Sequence, residues 1–166
     1  MLSYGVTKAE VGVYSNVDGT VAGWAEMDVY KDTFTLEEAD PTKTEHFKQG
    51  EASPKLVRQK AAGLTIKFSL MDLSATNKVL WIGGTKTTVE TVDTWHPPRV
   101  KTGLIKALRF TLEDGSIVTI PKTDCFTKAN VKASDADINL MEVSGSILDP
   151  GFEDVFVMAW TDAPAV

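Results

Sequence analysis

Apolar and polar residues alternate in short runs along this chain, and a long stretch between two of those runs lacks core-forming positions. The runs at Thr33–Leu36 and Leu64–Leu70 alternate with a period of two. That period places Phe34 and Leu36 on one face of a strand, and Leu64, Ile66, Phe68 and Leu70 on one face of another. Residues 37–63 between them are charged and threonine-rich, punctuated by Pro41, Gly50, Pro54 and Gly63. A connection that long inside a compact domain is usually functional or structureless. It is read here as an arm that reaches a partner.

The same alternation predicts the other strands. Glu10–Tyr14 forms a first strand and Trp24–Tyr30 a second, with Trp24, Glu26, Asp28 and Tyr30 opposite Ala25, Met27 and Val29. Leu108, Phe110 and Leu112 oppose Arg109, Thr111 and Glu113, and the Asp114-Gly115 pair that follows predicts a hairpin over Ala107–Ile120 with a two-residue turn. Pro121 is expected to end that pairing. Thr85–Thr94 reads as one exposed strand, broken by Trp95-His96-Pro97-Pro98-Arg99. Further strands are expected at Ala129–Ala133 and Ile138–Ile147, separated by a turn at Ser134–Asp137. The continuous apolar run Val155–Trp160 reads as a buried central strand, and Asp162–Val166 as a loose tail.

One helix stands out, Asp72–Ile82. Asp72 or Ser74 can cap its first turn, and Gly83-Gly84 stops it. Glycines after a helix do not make a phosphate loop, which needs them before it. About eight strands, one short helix and no repeat or linker predict a single domain over residues 1–166. Its class is mainly β, a β-sandwich or barrel, with the helix (72–82) flanking it and the long extended arm or hairpin (37–63) outside.

Charge narrows the function. Seventeen Lys and Arg against 23 Asp and Glu give a net −6, which argues against gripping duplex nucleic acid. The same charge suits a wall that nucleic acid passes without sticking. Within the arm, Glu37, Glu38, Asp40 and Glu45 lie toward the outgoing limb, together with Lys43, while Lys55, Arg58 and Lys60 lie on the returning limb. Two readings follow: a solvated hairpin with opposite charges across it, or head-to-tail complementarity between copies, which generates rings or filaments.

Chemistry-bearing motifs are missing from the sequence. The single Cys125 excludes an internal disulfide, and His46 and His96 are too far apart to suggest a ligand pair, so no metal or cofactor is expected. Cys125, beside Phe126 and Thr127, reads as a buried inert thiol. The run DADIN, from Asp135, lacks the glycine and distal glutamate of a calcium loop. There is no G-x-S-x-G elbow, and the carboxylate pairs Glu37-Glu38 and Asp135/Asp137 lie on an arm or turn where acid–base geometry is hard to hold. An enzyme is not expected. The N-terminus MLSYGVTKAEVGVY lacks a basic start and an apolar run, so the chain is expected to be made in a cytoplasm without a signal peptide or membrane association.

The stretch DTFTLEEADPTKTEHFKQGEASPKL, followed by GLTIKFSLMDLSATNKVLWIGG and the closing strands, resembles the major tail tube proteins of long-tailed bacteriophages. The likeness runs from Asp28 onward, in order and spacing of elements, and does not extend to the first 27 residues. It implies a structural subunit of the virion tail. Six copies would form a ring, and rings would stack into a hollow tube that conducts DNA into the host cell. Partners would be further copies, a tape-measure protein and the tail terminator and tip proteins, with DNA in transit. Under this resemblance Glu37–Lys60 is the arm between stacked rings, carrying Glu37, Glu38, Asp40, Lys43, Glu45, Lys55, Arg58 and Lys60. The strands Asp28–Leu36 and Leu64–Leu70 are the lumen candidates, with Thr33, Thr35, Thr65, Lys67 and Ser69 on their polar face. The rival reading is a monomeric β-sandwich binding module for a glycan or protein ligand, with Trp24, Trp95 and His96 as a stacking platform.

Overall fold

The computed structural model describes residues 5–132 and 137–163. Residues 134–136 of the expected turn, which include Asp135 and Ala136 of the DADIN run, and the end of the tail lie outside the described residues. In chain order the elements are β1 (Val6–Tyr14), β2 (Val21–Glu26), β3 (Thr35–Glu38), β4 (Thr42–His46), β5 (Leu56–Lys60) and β6 (Leu64–Leu70). Then come α1 (Ala75–Ile82), β7 (Thr85–Val89), β8 (Val92–His96), β9 (Leu104–Leu112), β10 (Ile117–Asn130), β11 (Leu140–Ile147) and β12 (Ala159–Thr161). The fold is mainly β with one short helix.

Eight strands make one antiparallel sheet in the order β2-β1-β9-β10-β11-β6-β3, with β12 also paired to β10. The sheet curls onto itself. Phe110 of β9 and Phe68 of β6 are three strands apart in that order, yet their rings meet edge-on at 5.6 Å. Phe34, just before β3, lies 4.4 Å from Phe110. The segment after β2 closes the curl. The Met27 N–H donates to Ala9 O, Val29 bridges Leu70, and the Tyr30 N–H donates to Ser69 O. Inside are Ile66, Phe68, Leu70, Leu108, Phe110, Val118, Ile120, Met141 and Val143, the inward halves of the alternating runs.

The helix covers one side of this core. It begins at Ala75, three residues later than expected, because Asp72 and Ser74 together build its cap. Ser74 Oγ accepts from the Asn77 N–H at 3.3 Å, while the Asp72 carboxylate accepts from the Ser74 N–H and the Asn77 side-chain amide at 2.8 and 2.6 Å. Gly83, at φ 87°, ends it. Trp81 and Ile82 are buried, with the Trp81 ring 5.6 Å from Phe68 in an edge contact.

Several expected strands differ. Trp24–Tyr30 is strand only as far as Glu26. Asp28–Leu36 is not a continuous strand, because Asp32 takes a left-handed φ of 60° and interrupts the ladder before Thr35. Thr85–Thr94 is two strands rather than one, turned by Glu90 and Thr91 at φ 48° and 73°, and Trp95 and His96 belong to the second. Pro121 does not end β10: it sits in a register shift between Ile120 and Thr123, where no ladder N–H is required of it. The β9–β10 loop spans three residues, with Gly115 at φ 85° as its left-handed member, since the Leu112 N–H donates to Ser116 O. Of the expected strand at Ala129–Ala133, Ala129 and Asn130 are the far end of β10, residues 131–132 are not strand, and Ala133 lies outside the described residues. Val155–Trp160 is not a central strand. Only Ala159–Thr161 pairs, beside Ile117–Thr119 of β10, and Phe156 is 74% exposed.

Candidate functional site

The arm is a separate two-stranded hairpin. Thr42 to His46 of β4 pair with Lys60 to Leu56 of β5, and all residues of both strands are exposed. Gly50, at φ 84°, helps turn the loop between them, and the Lys55 N–H closes it by donating to His46 O at 2.8 Å. Pairing puts Thr42, Thr44 and His46 on one face with Leu56, Arg58 and Lys60, and Lys43 and Glu45 on the other with Val57 and Gln59. Phe47, Leu56 and Val57 are exposed apolar groups on this hairpin.

Its charges are not paired across the limbs. Lys43 bridges Glu45 on its own strand, and Lys48 bridges Glu51 in the loop at 3.6 Å. Glu37 and Glu38 are not on the hairpin at all, because they belong to β3 in the main sheet, where Glu37 lies 3.7 Å from Lys67. Asp40 lies at the hairpin base, in a depression lined by Glu38, Pro41 and Gln59. Among the described residues Lys55, Arg58 and Lys60 take part in no salt bridge. The reading of a solvated hairpin with opposite charges across it is therefore corrected: the alternation along β4 puts its acid and base side by side.

The lumen candidates come together on one face. Thr35, Thr65, Lys67 and Ser69 lie on the outer face of the sheet, since Thr35 pairs Lys67 and Ile66, Phe68 and Leu70 point inward. The Thr33 hydroxyl accepts from the Ser69 N–H at 3.0 Å and donates to Tyr30 O at 2.7 Å, so it substitutes for a ladder bond. Across the sheet this face continues through residues that position in the sequence did not group with them. Ser144 opposes Lys67, Ser146 opposes Thr65, and Glu142 opposes Ser69. Phe126, Asp124 and Lys128 of β10 follow next to these. Glu37, Asp124 and Glu142 against Lys67 and Lys128 leave it close to neutral. Alternation in β11 signalled its outward residues, but strand order was needed to join them to β6.

Two other features complete the surface. Glu10 of β1 receives Arg109 Nε at 2.8 Å and Lys8 Nζ at 2.9 Å, and the Arg109 guanidinium lies 4.3 Å from the Trp24 ring centre. These two donors, Arg109 first, hold the Glu10 carboxyl below the usual carboxylate range. A cleft of about 750 Å³ opens at one end of the core, lined by Val6, Val29, Phe34, Leu36, Leu112 and Trp160. Trp24 and Trp95 form no common platform. Trp24 lies on the main sheet under Arg109, whereas Trp95 lies on the β7–β8 hairpin, donates Nε1–H to Gly83 O, and has Lys78 above its ring. His96 is bonded to the Thr87 hydroxyl at 3.1 Å.

Among the described residues no group of three or more His, Cys, Asp or Glu is arranged to hold a metal, and no helix is long and apolar enough to cross a membrane. Cys125 is fully buried, and burial pushes its thiol up to about 12. No protein-family model matches the chain, and no curated protein matches it.

Proposed function

We propose that this protein is the structural subunit of a bacteriophage tail tube, assembling into hexameric rings that stack as a hollow conduit for DNA. The observation that carries the reading is the β4–β5 hairpin, which exposes every one of its strand residues, three large apolar side chains near its end and an unpaired basic face. A lone two-stranded hairpin is marginal in water, so its order is completed by contact with another surface. The free edges of β2 and β3 add backbone groups that invite pairing, and controlled self-assembly satisfies them. The face through Thr35, Thr65, Lys67 and Ser69 is close to neutral, so as a channel wall it offers DNA no basic grip. In the virion its partners are further copies, a tape-measure protein and terminator or tip proteins.

The test is the state of the purified chain, by size-exclusion chromatography with light scattering followed by negative-stain electron microscopy. Hexameric rings or hollow tubes are the expected result. A chain that stays monomeric at high concentration across a range of salt overturns the proposal. The competing reading, a monomeric binding module, rests on the cleft beside Trp160, where Lys31, Asp32 and Glu113 join the apolar wall, and requires that monomer.

A further inference from the structure

The hairpin and a second exposed apolar surface leave the sheet at different places: the arm at the start of β6, the second surface beyond the end of β1, which runs parallel to β6. The arm departs where β6 begins: Glu38 pairs Leu64, and the Ala39 N–H donates to Gly63 O at 3.3 Å. β11 finishes beside that point, Ser146 opposing Thr65, and the chain then runs through residues 148–158 before β12. This loop packs on the turn between β1 and β2. Tyr14 Oη donates to Pro150 O at 2.9 Å. Gly19, at φ 71°, lies so close to the loop that a Cβ there would approach Phe152 and Val155 at 2.8 and 2.9 Å. Turn and loop thus form one surface.

That surface is apolar and acidic. Val17 is 90% exposed and Phe156 74%, and around them stand the exposed carboxylates of Asp18, Asp149, Glu153 and Asp154. Among the described residues none of the four takes part in a salt bridge; Asp18 and Asp149 only accept bonds from their own turns. The Lys122 ammonium lies over the Tyr14 ring at 5.3 Å. The Leu56–Arg58–Lys60 face of the hairpin has the opposite chemistry, one apolar and two basic side chains with no acid on it.

We infer that the Leu56–Arg58–Lys60 face of the hairpin docks on the Val17–Phe156 surface of a second copy of this chain, with Asp149, Glu153 and Asp154 receiving Arg58 and Lys60. The inference rests on the tail tube reading and deepens it. Each copy offers one arm and one acceptor, so the contact is heterologous and repeats from copy to copy.

Sedimentation velocity of the full chain, over a range of concentration and salt, tests this with four proteins. These are the wild type, R58E/K60E, E153K/D154K and the variant carrying all four reversals. Each pair of reversals alone is expected to weaken association by about tenfold or more, and increasingly so at low salt. The four-site variant recovers it, and so does an equimolar mixture of the two pairs, in which every contact again joins opposite charges. All substituted residues are exposed, and equal melting temperatures verify that the variants fold. If E153K/D154K assembles like the wild type while R58E/K60E does not, the arm docks elsewhere and this inference fails with the tube reading intact. A wild type that never associates overturns both.

Discussion

Glu10 and Arg109 face each other across the β1–β9 ladder, joined at 2.8 Å, and the guanidinium of Arg109 also covers the Trp24 ring of β2. Three neighbouring strands are thereby tied on the outer face at a carboxylate only 11% exposed. The Glu10 carboxyl is held below its ordinary value, so its stabilising effect is complete above the unfolded-state pKa and is lost as pH falls through the lower folded-state pKa. Glu10→Gln is expected to cost about 1–2 kcal/mol at neutral pH. Urea midpoints measured from pH 7 down to 3 check the sign: the gap between wild type and variant closes with acidification. A gap that stays constant would show that the ion pair contributes nothing.

Trp81 joins the helix to the sheet. Its ring is buried and meets Phe68 edge-on, and Phe68 in turn meets Phe110, so three elements share one aromatic contact line. Trp81→Ala leaves a cavity too large for the surrounding strands to refill, at a cost of about 3–5 kcal/mol. Chemical denaturation measures it directly, and a loss below about 1 kcal/mol would mean that the helix is not part of the cooperative core.

Removing the hairpin should separate folding from assembly. Its strands contribute no buried residue, so replacing residues 41–61 by a short glycine-serine link is expected to change stability by less than about 1 kcal/mol. Ring and tube formation should disappear. Calorimetry and electron microscopy on the same preparation give both answers, and normal tubes from the shortened chain would remove the arm from any account of assembly.

Cys125 should be silent in the native state. Its thiol is fully buried between Thr123 and Thr127, and pushed up to about 12, so almost no thiolate is present at pH 8. Thiol titration with a disulfide reagent at that pH is expected to label it only in denaturant. Rapid labelling of the folded chain would mean that the β9–β10 pairing opens under native conditions.

Much of the inward packing was legible from alternation alone. Ile66, Phe68 and Leu70, Leu108, Phe110 and Leu112, and Met141 and Val143 all point to the core as the period of two required. The helix with its Ser74 cap and Gly83 stop was legible for a similar reason, since capping is chemistry between residues a few positions apart. The arm could be recognised as a segment, but its charge arrangement could not. Glu37 joined the main sheet and Lys43 paired along its own strand.

What failed to be legible depended on context. Glu90 and Thr91 adopt left-handed angles without a glycine to announce the turn, because the flanking strands twist together around them. Pro121 passes through β10 only because a bulge relieves it of a ladder bond. Val155–Trp160 looked like a core strand, yet β10 offers it only three residues of free flank, and the rest stays outside.

The sequence by itself determined which side chains face inward, because backbone pleating is local and needs no knowledge of the partner strand. Only the tertiary structure decided the neighbours. The order β2-β1-β9-β10-β11-β6-β3 joins Ser144 to Lys67 across strands far apart in sequence, and residues 15–20 pack against residues 148–158. That arrangement follows from which long-range pairings close the curl over a packed core, a property of the whole chain rather than of any stretch of it.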